Sequence, residues 1–191
     1  LHAKHIAKLP YRTWVLLGDS EMAEGSNWEA IQLAAHYGLS QLTAIVDMNR
    51  LGQRGETMLG HRAKELAAQV SSYGWDVEVV DGHDVSQLTH AYRKRDEIRD
   101  KPYMIIAKTL KGKGVSCMED KEGWHGKALS KEQEVVALNE LGAVNQDVRI
   151  SLPTPDIAKP YAYVPKPASQ LYEAYDDPLS PRKAYGHALV K

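Results

Sequence analysis

Four strand-like runs, each ending in a polar turn and separated by helix-length segments, constrain this chain more than any other feature. They fall at 12–17, 42–47, 75–81 and 103–109. Strands alternating with helical patterns in this way predict a doubly wound, mostly parallel α/β sheet with helices on both faces. The first two runs, both continuously apolar, read as buried strands. Between them, Ser26 with Glu29 three residues later predicts a capping box. The helix it opens would carry Trp28, Ile31, Gln32 and Ala35 on one face and close at Gly38, where glycine takes the left-handed cap. A second helix is expected over 62–73, closed by Gly74, and a third from Asp84 to about residue 99. Ser130 and Gln133 repeat the capping-box spacing at the head of a fourth.

The first two strands end in residues whose chemistry belongs together. Gly18-Asp19-Ser20 follows the first, and Asp47-Met48-Asn49-Arg50-Leu51 follows the second. In an open α/β sheet the carboxyl ends of neighbouring strands form the crevice where ligands bind. A carboxylate and an amide meeting there make a seat for Mg²⁺ holding a diphosphate, since Mg²⁺ takes a near-octahedral oxygen shell at about 2.0–2.1 Å that commonly includes ligand phosphates. Taken singly, both residue types also favour turns.

The flanks narrow the reading. The run Gly18-Asp19-Ser20-Glu21-Met22-Ala23-Glu24-Gly25-Ser26-Asn27-Trp28-Glu29-Ala30 and the run Asp47-Met48-Asn49-Arg50-Leu51-Gly52-Gln53 are followed in order by two more. These are Ala107-Lys108-Thr109-Leu110-Lys111-Gly112-Lys113-Gly114 and Glu119-Asp120-Lys121-Glu122-Gly123-Trp124-His125-Gly126-Lys127. Together they resemble transketolase, and particularly its animal-type branch, from about residue 11 to about 129 and again at 181–186. The resemblance implies ketol transfer from a ketose phosphate to an aldose phosphate through thiamine diphosphate. It implies Mg²⁺, with Ca²⁺ or Mn²⁺ as alternatives, held by Asp19, Asn49 and the main-chain carbonyl of Leu51. Gln53 matches a glutamine that reaches the cofactor, Lys111 a lysine near its diphosphate, and His125 an active-site histidine beside the diphosphate and the reacting carbon. Lys127 would contact phosphate or substrate. Glu24 and Glu29 match acids at a dimer interface that link two cofactor sites, although Glu29 is also accounted for by the capping box. Ser20 departs from the family's usual glycine; serine keeps a backbone N–H for the diphosphate and is expected to be tolerated.

The same resemblance divides the chain into part of the diphosphate-binding domain (1–141), an interdomain linker (142–180) and the start of the pyrimidine-binding domain (181–191). Pro153, Pro155, Pro160, Pro165, Pro167 and Pro178 interrupt regular structure within the linker. Tyr161, Tyr163, Tyr172 and Tyr175 would anchor it to the surface, and Ser180-Pro181 restarts a helix. Leu1 at the head and Lys191 at the tail suggest a fragment whose partner subunit, in a homodimer or a complementary chain, supplies the pyrimidine-binding half of the site. On that basis the fragment alone is expected to be inactive. Sugar phosphates are the expected substrates.

Composition bounds the alternatives. With 24 Lys and Arg against 25 Asp and Glu in 191 residues, nothing points to nucleic acid or an anionic membrane. Arg93-Lys94-Arg95 reads as a solvated basic face. No apolar stretch approaches the roughly 18 residues of a membrane span, and no signal-peptide pattern opens the sequence. The one cysteine, Cys117, excludes an internal disulfide and fits a reducing cytosol. It reads as a structural or tolerated thiol, and His36, His61 and His83 as structural or surface residues. Two alternatives stay open. One is an E1-type 2-oxoacid dehydrogenase, which shares the Asp…Asn seat but not the Lys111-Gly112-Lys113-Gly114 and Trp124-His125-Gly126 runs. The other is a noncatalytic, split or degenerate cofactor-binding subunit.

Overall fold

The computed structural model describes residues 1–98, 100–151, 180, 183 and 184. The chain separates into two units, Leu1–Pro153 and Thr154–Lys191. The first is a four-stranded parallel sheet: β1 Thr13–Gly18, β2 Leu42–Met48, β3 Asp76–Asp81 and β4 Tyr103–Lys108, in the order β1-β2-β4-β3. Every pairing is parallel, with Gly18 level with Asp47 and Met48 level with Lys108. The polar turns that follow β1, β2 and β4 therefore emerge side by side at one end of the sheet.

The sheet is covered on both faces, as the alternation of strands and helices predicted. Helices α1 (Gly25–His36) and α2 (Ala63–Ser72) share one face, where Ile31, Ala34, Leu66 and Val70 pack on Ala44, Val46, Met48, Met104 and Ile106. Helix α3 (Val85–Lys94) lies on the other, with Ala91 and Leu88 against Ile45, Val80, Tyr103, Ile105 and Ala107. β4, hydrogen-bonded on both sides, is buried from Tyr103 to Ala107. Such a strand must be apolar throughout, because both of its faces lie under helices. Trp75 ties the helical layer to the strands: its indole N–H donates to the Ile31 carbonyl at 2.8 Å. Helix α4 (Lys131–Leu141) follows the long loop after β4, capped by the reciprocal Ser130 and Gln133 bonds that its sequence predicts.

Four expectations need correction. β1 is not buried: it forms an edge of the described sheet, and Trp14, Val15 and Leu16 are exposed. Its α3-side cover is one edge-to-face contact between Trp14 and Tyr92. The Ser26–Glu29 capping box does not form. A 3₁₀ turn over Asp19–Ala23 runs straight into α1, so Glu24 becomes the N-cap residue and makes no side-chain cap. The core-facing side of α1 is otherwise as expected, with Ile31 buried and Trp28 and Ala35 packed against the core, but Ala34 joins it and Gln32 lies in solvent. Helix α3 ends at Lys94, and Arg95 is not on a solvated face. It is buried at 2% exposure, donating to Thr43 Oγ1 at 2.9 Å and to the Ser40 and Ile98 carbonyls. A guanidinium with five donors tolerates burial when carbonyls surround it. Lys94 pairs with Glu78, which leaves Arg93 as the exposed member of that run.

Residues 142–151 are exposed and carry no regular element. The prolines and tyrosines of the expected linker lie outside the described residues. In the second unit, Ser180 Oγ accepts from the Lys183 N–H, and the Ser180 carbonyl from Ala184 N–H. That is the geometry of the N-cap predicted there.

Candidate functional site

At the carboxyl ends of β1, β2 and β4 the turns enclose a cleft of about 810 Å³. Asp19, Asn49, Leu51, Lys111 and His125 all line it, as do Ser20 and Gln53. Sequence reasoning placed these seven together, and the parallel register brings them together.

Asp19 is 8% exposed. One carboxylate oxygen accepts from the Arg50 N–H at 2.6 Å and from Thr57 Oγ1 at 3.3 Å. Burial nevertheless pushes its carboxyl above the usual range, with those hydrogen bonds working against the rise and the Asp47 charge adding to it. A positively charged partner is the natural relief for such a group. Asn49 is oriented by both ends of its amide: its nitrogen donates to Asp47 at 3.1 Å and its oxygen accepts from the Leu51 N–H at 3.1 Å. Thr109 Oγ1 holds the other oxygen of Asp47. Among the described residues no three His, Cys, Asp or Glu side chains cluster to hold a metal by themselves. The cleft is lined instead by residues that carry a carboxylate, an amide oxygen and a backbone carbonyl, hard-oxygen donors of the kind Mg²⁺ or Ca²⁺ takes.

A cationic wall faces that seat. Lys111 Nζ donates to the Leu51 carbonyl at 3.3 Å and to His125 Nδ1 at 3.0 Å. With Nδ1 accepting, the imidazole proton sits on Nε2. Gly112 bounds the wall with φ +70°, and a Cβ there would meet Met118 at 2.7 Å, so the loop closes only with glycine. Ser20 is not among the residues at positive φ, so serine takes the place of glycine without backbone strain.

Three expected site residues stand outside this lining. Glu24 and Glu29, at the head of α1, are exposed. Lys127 is exposed too, with Nζ 4.7 Å from the centre of the Trp124 ring. Other residues were missed. Thr57 and Thr109 fix the two acids, while His61 and His83 grip one peptide bond from opposite sides. His61 Nε2 lies 2.9 Å from the Thr109 carbonyl, and His83 Nε2 accepts from the Leu110 N–H at 2.8 Å. His83 also lines the cleft. These contacts join residues far apart in the chain, and no local spacing announces them.

A parallel α/β domain with hard-oxygen donors and an ammonium at the carboxyl ends of its strands belongs to the class that holds phosphorylated cofactors in the sheet crevice. Comparison with known proteins names the family. Residues 5–181 match the family described as "Transketolase, thiamine diphosphate binding domain". The chain is 39% identical to transketolase from Homo sapiens and to transketolase-like protein 2 from Bos taurus, in each case over 98% of this chain and 30% of the relative. A transketolase variant from Pichia stipitis superposes with a TM-score of 0.63 at 28% identity, covering 74% of this chain and 21% of that one. Campylobacter jejuni transketolase gives 0.54 at 27% identity, over 59% and 18%. This chain belongs to the transketolase family, in its thiamine diphosphate-binding domain. It spans about three tenths of the length of the relatives it matches.

Proposed function

We propose that this chain supplies the metal- and diphosphate-binding half of a transketolase active site. The observation that carries the reading is the buried carboxylate of Asp19 in one cleft with Asn49, Leu51 and Lys111, whose ammonium donates to the Leu51 carbonyl. Asp19, Asn49 and Leu51 would hold Mg²⁺. Lys111 and the Ser20 backbone N–H would meet the diphosphate, and Gln53 the cofactor beside it. When bound, thiamine diphosphate supplies the electron sink for breaking a bond next to a carbonyl. The residues here bind, orient and stabilise charge. His125, with Nδ1 accepting from Lys111, presents Nε2–H to an oxygen in the cleft and holds it by a hydrogen bond as that oxygen gains charge. Glu24 and Glu29, exposed at the head of α1, fit a contact with a second subunit, and Lys127 fits the rim where a phosphate enters.

The rest of the reading follows the family. The substrates are sugar phosphates, and the partner is a second copy or a complementary subunit that brings the pyrimidine-binding half. The chain divides into diphosphate-binding domain to 141, linker to 180 and next domain from 181, and works in a reducing cytoplasm. The full-length protein with thiamine diphosphate and Mg²⁺ should transfer a ketol unit from xylulose 5-phosphate to an aldose phosphate and leave pyruvate untouched. Turnover of pyruvate would instead assign the E1-type reaction. Cofactor binding with neither turnover would assign a noncatalytic role, as a transketolase-like relative among the matches leaves open.

A further inference from the structure

Two residues of the described chain that flank the cleft, Arg50 and Asp120, share an unusual backbone. Their φ angles are 64° and 55°, in the left-handed region that disfavours any residue with a Cβ. Such conformations persist where surrounding contacts hold them, and they concentrate at functional sites. Here each residue holds the other. Arg50 Nε donates to Asp120 Oδ1 at 2.8 Å, and its Nη2 to the Asp120 carbonyl at 3.1 Å. The pair is partly buried, with side chains 25% and 37% exposed.

What the pair connects gives it a role. Arg50 stands between Asn49 and Leu51, and its own N–H donates to Asp19. The Asp120 N–H donates to the Lys111 carbonyl at 2.8 Å. Lys111 then reaches back to Leu51 and across to His125. The contacts run from Arg50 through Asp120 and Lys111 to Leu51, a circuit closed by the Arg50–Leu51 peptide bond, with Asp19 joined to it through the Arg50 N–H. Besides this Arg50–Asp120 segment, the loop after β2 and the loop after β4 meet through the flexible Lys111 side chain on Leu51 and through His61 on the Thr109 carbonyl, the latter away from the metal seat.

We propose that Arg50 and Asp120 are positioning residues: a latch that sets the separation between the Asp19–Asn49–Leu51 seat and the Lys111–His125 wall, so that the cleft takes a metal diphosphate without rearranging. This rests on the cofactor reading above. Neither residue touches the cofactor; each acts through Asp19, Leu51 and Lys111. A cleft held at its binding geometry loses less freedom when the ligand enters, which is where the affinity gain arises.

The test is calorimetric titration of thiamine diphosphate into the full-length protein at saturating Mg²⁺. Arg50→Gln and Asp120→Asn should each weaken binding about tenfold, and the double variant no more than either, as expected for partners in one network. Arg50→Gly separates positioning from folding. Glycine is at ease at φ 64°, so its apo thermal midpoint should hold or rise while binding still weakens about tenfold. Wild-type affinity in Arg50→Gly and Asp120→Asn would overturn the latch and leave the cofactor reading standing, as would a double variant weakened about a hundredfold. No binding by the wild-type protein would overturn both.

Discussion

Asp19 is held in the protein at a cost. Burial raises the pKa of its carboxyl, so the proton is held more tightly in the folded state than in the unfolded chain. A group of that sign favours folding below the ordinary carboxylate range and loses that advantage as pH rises through its raised pKa. Asp19→Asn keeps an oxygen for the Arg50 N–H and removes the charge. In the absence of metal it should therefore unfold at or above the wild-type temperature at pH 8, and the gap should close as pH falls toward about 4, near the ordinary carboxylate pKa. Calorimetric scans across that range check the sign; a variant less stable at pH 8 would refute it. The residues that line the cleft were legible in the sequence because Asp19, Asn49, Gln53, Lys111 and His125 sit in contiguous motifs. The residues that orient them were not. Thr57, Thr109, Arg50 and Asp120 act across 31 to 70 positions of chain, and only the folded register brings them into reach.

At the level of elements, strand positions were readable from apolar runs and helix ends from glycine and capping pairs. The misreadings have specific causes. Ser26 looked like a cap because the 3₁₀ turn before it has no distinctive pattern, and that turn moves the start of α1 back to Gly25. Arg95 looked solvated because its partners, Thr43 and the turn at Ser40, lie more than 50 residues away. β1 looked buried because its residues are as apolar as those of β2, yet only one side of it is paired in the described sheet. The buried centre offers a test of its own. Tyr103, fully buried in β4, donates its hydroxyl to Glu78 at 2.8 Å, while Lys94 holds the same carboxylate. Burial, reinforced by Glu78, drives the phenol pKa far upward, so the hydroxyl stays a donor through the alkaline range. Tyr103→Phe should lower stability by about 1 kcal/mol in urea denaturation, because Glu78 keeps Lys94 as a partner. A loss of several kcal/mol would mean that the hydroxyl, rather than Lys94, secures Glu78.

Across the whole molecule, the apolar edge formed by Trp14, Val15 and Leu16 is the feature with the broadest consequence. Leu16 is 71% exposed on the α3 side of the sheet. Unpaired apolar edges invite association, so this 191-residue chain produced by itself should self-associate with rising concentration. Leu16→Lys should suppress that association in sedimentation velocity without lowering the thermal midpoint; association unchanged by the substitution would place the sticky surface elsewhere. The central claim concerns the other end of the sheet, where the strand termini gather a carboxylate, an amide and an ammonium around one cleft. Titration of thiamine diphosphate into the full-length protein, with and without Mg²⁺ and for wild type against Asp19→Ala, addresses it most directly. The account predicts saturable binding that requires the metal and disappears in Asp19→Ala. Binding of equal strength in Asp19→Ala, or none in the wild type, would contradict it.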